Sequence, residues 1–153
     1  MFGKDLQGIR LRDDLASNEA CIYVPTKCII SRPHALQSPI GHLFESHDAL
    51  FVTNFDRDST ILAVYLMYEK MKGEESFYHP YLQVLDHMDP TCYWPEEILE
   101  KSDLQSFKFS LRDSKEGYVE QWDKLKNFFA IYPDFFDPQK TNEDLYRWAI
   151  GIV

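Results

Sequence analysis

The stretch from Tyr118 to Tyr132 constrains the fold more than any other part of the chain. Large apolar side chains recur there every three or four residues, which is the spacing of one face of an α-helix. These side chains are Tyr118, Trp122, Leu125, Phe129 and Tyr132. Pro133 follows at once and predicts the end of the helix, because proline lacks the backbone N–H that continuation requires. The repeat covers at most about two heptads, so it predicts a packed helix of a globular domain and not a coiled coil.

A second helix is predicted from Asp58 to about Lys72, because Asp58-Ser59 is a helix-start signal and Gly73 fits a C-terminal stop. Its apolar residues cover more than one face, which predicts burial on more than one side. These residues are Ile61, Leu62, Val64, Tyr65, Leu66 and Tyr68. Pro80 and Pro95 predict the starts of two shorter helices, since proline is well suited to the first helical turn.

A last helix is predicted after Thr141, a residue type that caps helix N-termini. Its apolar face consists of Leu145, Trp148, Ala149 and Ile152. The chain stops at Val153 on this amphipathic pattern, with no glycine, polar cap or tail after it. We therefore expect the sequence to be a fragment that is poorly stable alone, and we expect missing sequence or another chain to cover the apolar face.

Four short apolar runs predict β-strands. Residues 8–12 alternate apolar and polar side chains, as a half-buried strand does. Residues 21–24 and 28–30 would complete a small β unit near the N-terminus. Residues 107–111 alternate again over a short distance. The predicted fold class is therefore α+β, a small β-strand unit followed by a mainly helical region.

The composition narrows the class of protein. Among 153 residues there are 11 Phe, 9 Tyr and 3 Trp, which favours a folded chain, because disordered chains have low hydrophobicity. The net charge of −9 argues against a nucleic-acid partner, since phosphate binding needs clustered Lys and Arg, and it is compatible with basic protein partners. No apolar run is long enough for a membrane span. Cys21, Cys28 and Cys92 are widely spaced, which favours a reducing compartment, cytoplasm or nucleus, over a disulfide framework or a zinc site.

The side chains reveal no self-contained active site. The five histidines form no close ligand pair, and His42 and His47 would point to different helix faces, so no metal site is expected. Cys21 and Cys28 fall in predicted apolar strands and are expected in the core, not as nucleophiles. The acid pairs at 74–75 and 96–97 are interpreted as exposed carboxylates near helix ends, with a paired-carboxylate acid/base site as the alternative.

Several segments, taken in order, resemble the SET-domain protein methyltransferases of the Rubisco large-subunit methyltransferase type. Residues 8–15 (GIRLRDDL), followed by Asn18-Glu19 and residues 22–25 (IYVP), are similar to the family's opening strand, turn and strand end. Residues 38–41 (SPIG) match a small S-P-L-G element.

The strongest resemblance lies at residues 66–81 (LMYEKMKGEESFYHPY), which are similar to the family's insert segment L-x-x-E-x-x-x-G-x-x-S-x-W-x-P-Y. Residues 89–97 (DPTCYWPEE) look like its continuation, and residues 145–149 (LYRWA) resemble a W-A helix that leads into an S-R-x-F motif in the family. The matches together span essentially the whole chain.

The resemblance implies a fold and a reaction. The fold is the N-terminal half of a split SET domain, with a β-strand unit at residues 1–57 and an inserted helical region at residues 58–153 that is truncated at its C-terminal end. The reaction transfers a methyl group from S-adenosylmethionine to a lysine or histidine of a protein, with nucleophile, methyl and sulfur nearly in line. Asp5, Gln7 and Gly8 occupy the stretch whose backbone contacts the cofactor. The first glycine of that stretch is Leu6 here, a departure that bears on cofactor binding.

The family's S-R-x-F arginine, Asn-His motif and late tyrosine fall beyond the position that matches Val153, so the resemblance assigns no catalytic residue. One hypothesis is the N-terminal part of an S-adenosylmethionine-dependent protein N-methyltransferase, inactive as this fragment, whose partner is a protein substrate. The alternative is a non-catalytic SET-like structural or interaction module in a larger assembly, which Leu6 and the early stop favour, although a truncated sequence explains the stop equally well. A third hypothesis is an unrelated α+β binding domain.

Overall fold

The computed structural model describes residues 11–51, 57–85, 90–101 and 103–153. The α-helices in these ranges are α1 (Arg32–Gln37), α2 (Gly41–Ser46), α3 (Asp48–Phe51), α4 (Arg57–Lys72), α5 (His79–Val84), α6 (Glu96–Leu99), α7 (Gln105–Ile131) and α8 (Glu143–Ile152). Single turns of 3₁₀ helix lie at Thr26–Cys28, Gly73–Glu75 and Thr91–Tyr93. Across the described ranges the backbone forms no β-strand, so this part of the protein is mostly helical.

The α+β prediction, with a small β-strand unit before the helices, is wrong. Residues 21–24 are irregular, and residues 28–30 begin inside a 3₁₀ turn. Leu11 and Arg12 are not in a strand, and the rest of the predicted strand at 8–12 lies outside the described residues. A strand is stable only when its backbone N–H and C=O groups pair with a neighbouring strand, and the described ranges provide none.

The strand predicted at residues 107–111 is also wrong, because these residues belong to α7. Phe109 is 74% exposed, whereas Lys108 and Leu111 are buried. Burial therefore follows the three-residue spacing of a helix and not the two-residue alternation of a strand. An alternation this short does not distinguish the two structures when the neighbouring sequence continues a helical pattern.

Helix α4 lies at the centre of the main core and confirms the prediction of burial on more than one side. It contacts α1, α3, α5 and α8. Its buried residues are Thr60, Ile61, Ala63, Val64, Tyr65, Leu66, Met67 and Glu69. Because these residues surround the helix axis, packing on several neighbours decides its environment more than any single apolar face does.

Helix α7 confirms the helix predicted at residues 118–132 and extends it back to Gln105. Leu125, Phe128 and Phe129 are buried, and the helix ends at Ile131, before Pro133. The ring of Phe128 packs edge-on against Phe51 of α3, with 5.7 Å between the ring centroids. Although α7 has 27 residues, no helix in the described ranges is long and apolar enough to cross a membrane.

The main core draws on residues from both sides of the domain boundary predicted at residues 57 and 58, and that boundary stays a prediction. Ala35, Phe44 and Phe51 pack with apolar residues of α4, α7 and α8. A second, smaller cluster joins the buried side chains of Cys92, Leu99 and Leu111.

Helix α8 differs from its prediction in two respects. Its N-cap is Asn142, whose side chain accepts a hydrogen bond from the backbone N–H of Leu145, and not Thr141. Its apolar face packs on α4 of the same chain, so that Tyr146, Trp148 and Ala149 are buried. Leu145 and Ile152 of the predicted face stay half-buried, so their cover by missing sequence or another chain stays a prediction.

Candidate functional site

The predicted cofactor-binding residues Asp5, Gln7 and Gly8 lie outside the described residues, as does Leu6. Their role stays a prediction. The described chain begins at Leu11 with an irregular segment, and the 3₁₀ turn Thr26–Cys28 follows it.

An apolar groove of about 570 Å³, here termed the Leu66 groove, lies where this N-terminal segment meets α4, α5 and the end of α8. The described residues on its wall include Val24, Ile29, Leu62, Leu66, Tyr81 and Ile152. The described lining carries no carboxylate, imidazole, guanidinium or ammonium group. The groove is therefore suited to apolar contact, with the thiol of Cys28 and the phenol of Tyr81 as its polar side-chain groups.

Tyr78 connects the N-terminal wall of the groove to the helical core. Its hydroxyl group donates a hydrogen bond to the carbonyl oxygen of Lys27 over 3.5 Å. Its ring packs edge-on against Tyr65 of α4, with 6.3 Å between the ring centroids. Burial raises the pKa of both phenols above the ordinary value, and the negative charge of Glu69 raises the pKa of Tyr65 further. Both tyrosines are therefore neutral at physiological pH and act as structural hydrogen-bonding groups.

The segment that carries the strongest resemblance, residues 66–81, has a structural role around Glu69. Glu69 is 3% exposed, and its carboxylate accepts hydrogen bonds from Ser76 Oγ and from Lys72 Nζ, the latter at 3.0 and 3.2 Å. Gly73, with a φ of +58°, allows the chain to turn between these partners. Ser76 Oγ also accepts a hydrogen bond from the backbone N–H of Tyr78 at 3.1 Å. A buried carboxylate requires such partners, so this network fixes the start of α5 against α4.

The segments at residues 89–97 and 145–149 meet around Tyr93; Asp89 lies outside the described residues. The ring of Tyr93 stacks on Tyr118 at 6.5 Å, and the guanidinium of Arg147 lies 4.5 Å from its centroid. Burial raises the pKa of Tyr93 to about 12. The neighbouring Cys92 is buried, and burial raises the pKa of its thiol. A thiol that stays protonated is a poor nucleophile, and the ring contacts of Tyr93 join α7 to α8.

The other titratable candidates have structural partners or lie exposed. His34 Nδ1 lies 2.9 Å from Ser31 Oγ, and His47 Nε2 lies 2.7 Å from the hydroxyl oxygen of Tyr132. No group of three or more His, Cys, Asp or Glu side chains is placed to hold a metal ion within the ranges that the structure describes.

Cys21 and Cys28 are exposed, so the expectation that they lie in the core is wrong. They follow an irregular segment and not the two strands that would have buried them.

A second cavity, of about 240 Å³, lies between the first turn of α4, the middle of α7 and the end of α8. We term it the Gln121 cavity after Gln121, which together with Thr60 is a buried polar residue of its wall. Sequence reasoning missed Gln121. The available signal was its position, three residues after Tyr118 and four before Leu125, where a polar side chain interrupts an apolar helix face.

The comparisons with known proteins indicate a class. No protein-family model matches the chain, and no solved structure matches it. Along 99% of its length, however, the chain is similar to protein methyltransferases. These relatives are the actin-histidine N-methyltransferases of Canis lupus familiaris, Mus musculus and Rattus norvegicus, each 27% identical over 160 aligned residues. The chain spans about a quarter of the length of these relatives, 26% of the first and 25% of the other two.

Proposed function

We propose that this chain is part of an S-adenosylmethionine-dependent protein N-methyltransferase of the SET type that modifies a lysine or histidine side chain. The observation that carries the proposal is the similarity to actin-histidine N-methyltransferases over 99% of the chain. A similarity limited to one short motif would have many explanations. A similarity that extends along the whole chain requires this chain and its relatives to share the same order of segments, including those around Glu69, Tyr93 and Trp148.

The cofactor role belongs to Asp5, Gln7 and Gly8 by resemblance. The Leu66 groove does not fit S-adenosylmethionine by itself, because its described lining has no charged group for the ammonium and carboxylate of the cofactor. Bound S-adenosylmethionine supplies the methyl group. The described residues contribute rigidity, since Tyr78 and the Glu69 network hold the 3₁₀ turn Thr26–Cys28 against α4 and α5.

The proposed enzyme is longer than this chain, because its relatives are about four times as long. The resemblance places the Asn-His motif and the late tyrosine in sequence that follows the segment matched here. We therefore propose that this chain alone does not transfer methyl groups, and that the Leu66 groove borders the remainder of the enzyme.

The test is a calorimetric titration of S-adenosylmethionine into the full-length protein, followed by methyl transfer from labelled cofactor to actin and to a mixture of basic proteins. Gly8→Val should weaken cofactor binding by about tenfold or more, because the backbone must approach the ligand closely. Ala130→Val, at an exposed site on α7, is the matched control and should bind the cofactor normally.

Absence of binding heat and of protection against melting in the full-length protein would contradict the enzyme proposal. The second candidate, a non-catalytic module, is favoured by Leu6, which replaces the first glycine of the cofactor stretch. Leu6→Gly separates the two. If Leu6 has closed an ancestral site, this variant gains S-adenosylmethionine binding that the wild-type protein lacks. If the site is functional, both proteins bind.

A further inference from the structure

We draw no further inference here: the strongest candidate, the apolar Leu66 groove where the N-terminal segment meets α4, α5 and the end of α8, carries nothing beyond the proposed function, because nothing in the part of the chain that the structure describes shows what covers it.

Discussion

The hydroxyl group of Ser76 donates a hydrogen bond to the buried carboxylate of Glu69 across the turn at Gly73. This contact joins two residues seven positions apart in the segment with the strongest family resemblance. It gives that segment a physical explanation, because a carboxylate inside a core must be hydrogen-bonded and paired. The network around Glu69 therefore gives this segment a structural role.

Glu69→Ala should lower the free energy of unfolding by about 2–3 kcal/mol, because it leaves Ser76 Oγ and Lys72 Nζ without their acceptor in a mostly buried position. Urea denaturation monitored by circular dichroism measures the change. Glu74→Ala, at an exposed site in the following turn, is the control and should change the stability by less than about 0.5 kcal/mol. Equal effects of the two substitutions would show that the carboxylate of Glu69 is not part of a stabilising network.

The glycines at positions 41 and 73 should tolerate alanine to different degrees. A Cβ atom at Gly41 would lie 1.9 Å from the carbonyl oxygen of Leu36, so Gly41→Ala should cost about 3 kcal/mol through forced displacement of α1 or α2. A Cβ atom at Gly73 meets nothing within 4 Å, and only its φ of +58° opposes a side chain. Gly73→Ala should therefore cost about 1 kcal/mol, and Gly73→Asn less. Chemical denaturation of the three variants tests the order, and the reverse order for the two alanine variants would contradict it.

Asn142 and Thr141 can be compared directly as caps of α8. Asn142→Ala removes the side-chain oxygen that accepts from the Leu145 N–H and should cost about 1 kcal/mol. Thr141→Ala loses only a contact in which Oγ1 donates to Met71 Sδ at 3.3 Å and should cost less than about 0.5 kcal/mol. Thermal melts at matched concentration measure both. A larger loss of stability for Thr141→Ala than for Asn142→Ala would contradict Asn142 as the N-cap and support Thr141, the cap predicted from the sequence.

The stability of the protein should fall as the pH rises above about 10. The pKa of Tyr93 is about 12 in the folded chain because of burial, whereas an unfolded tyrosine has a pKa of about 10. A raised folded pKa contributes stability that is fully present below the unfolded value and is lost as the pH rises through the folded one. Burial shifts the pKa of Tyr146 in the same direction.

Melting temperatures measured between about pH 9 and 12 test this window. Tyr93→Phe should make the decline shallower, because phenylalanine does not ionise. Tyr23→Phe, at a side chain that is 87% exposed, should leave the decline unchanged. An identical decline in both variants would exclude Tyr93 as a cause.

The sequence was sufficient for α4, α8 and the second half of α7, and insufficient for α1 to α3 and for the strands. Helices α4, α7 and α8 were predicted because each repeats apolar residues at a helical spacing over several turns, and Pro80 and Pro95 lie at the starts of α5 and α6 as predicted. The run at residues 21–24 has the composition of a strand but no neighbouring strand in the described ranges, and Tyr23 is exposed. Pairing of strands is a relation between distant segments, so a local pattern does not establish it.

For the candidate site, too, the sequence predicted some features and not others. By resemblance the sequence suggested Asp5, Gln7 and Gly8 as cofactor contacts, which stay a prediction. The signal for Gln121, a polar side chain between Tyr118 and Leu125 on an apolar helix face, was present but was not used. Only the tertiary structure brings the amide nitrogen of Gln121 to the carbonyl oxygen of Leu50, which lies 71 positions away in the sequence.

The sequence by itself determined the helical segments, the acidic character and the similarity to protein methyltransferases, because periodicity, composition and segment order are properties of the chain as written. Only the tertiary structure decided that Glu69 is buried with Ser76 and Lys72, and that Trp148 and Ala149 of α8 are buried where α8 packs on α4. Burial and hydrogen-bond partnership depend on which distant segments meet, and that is settled by packing.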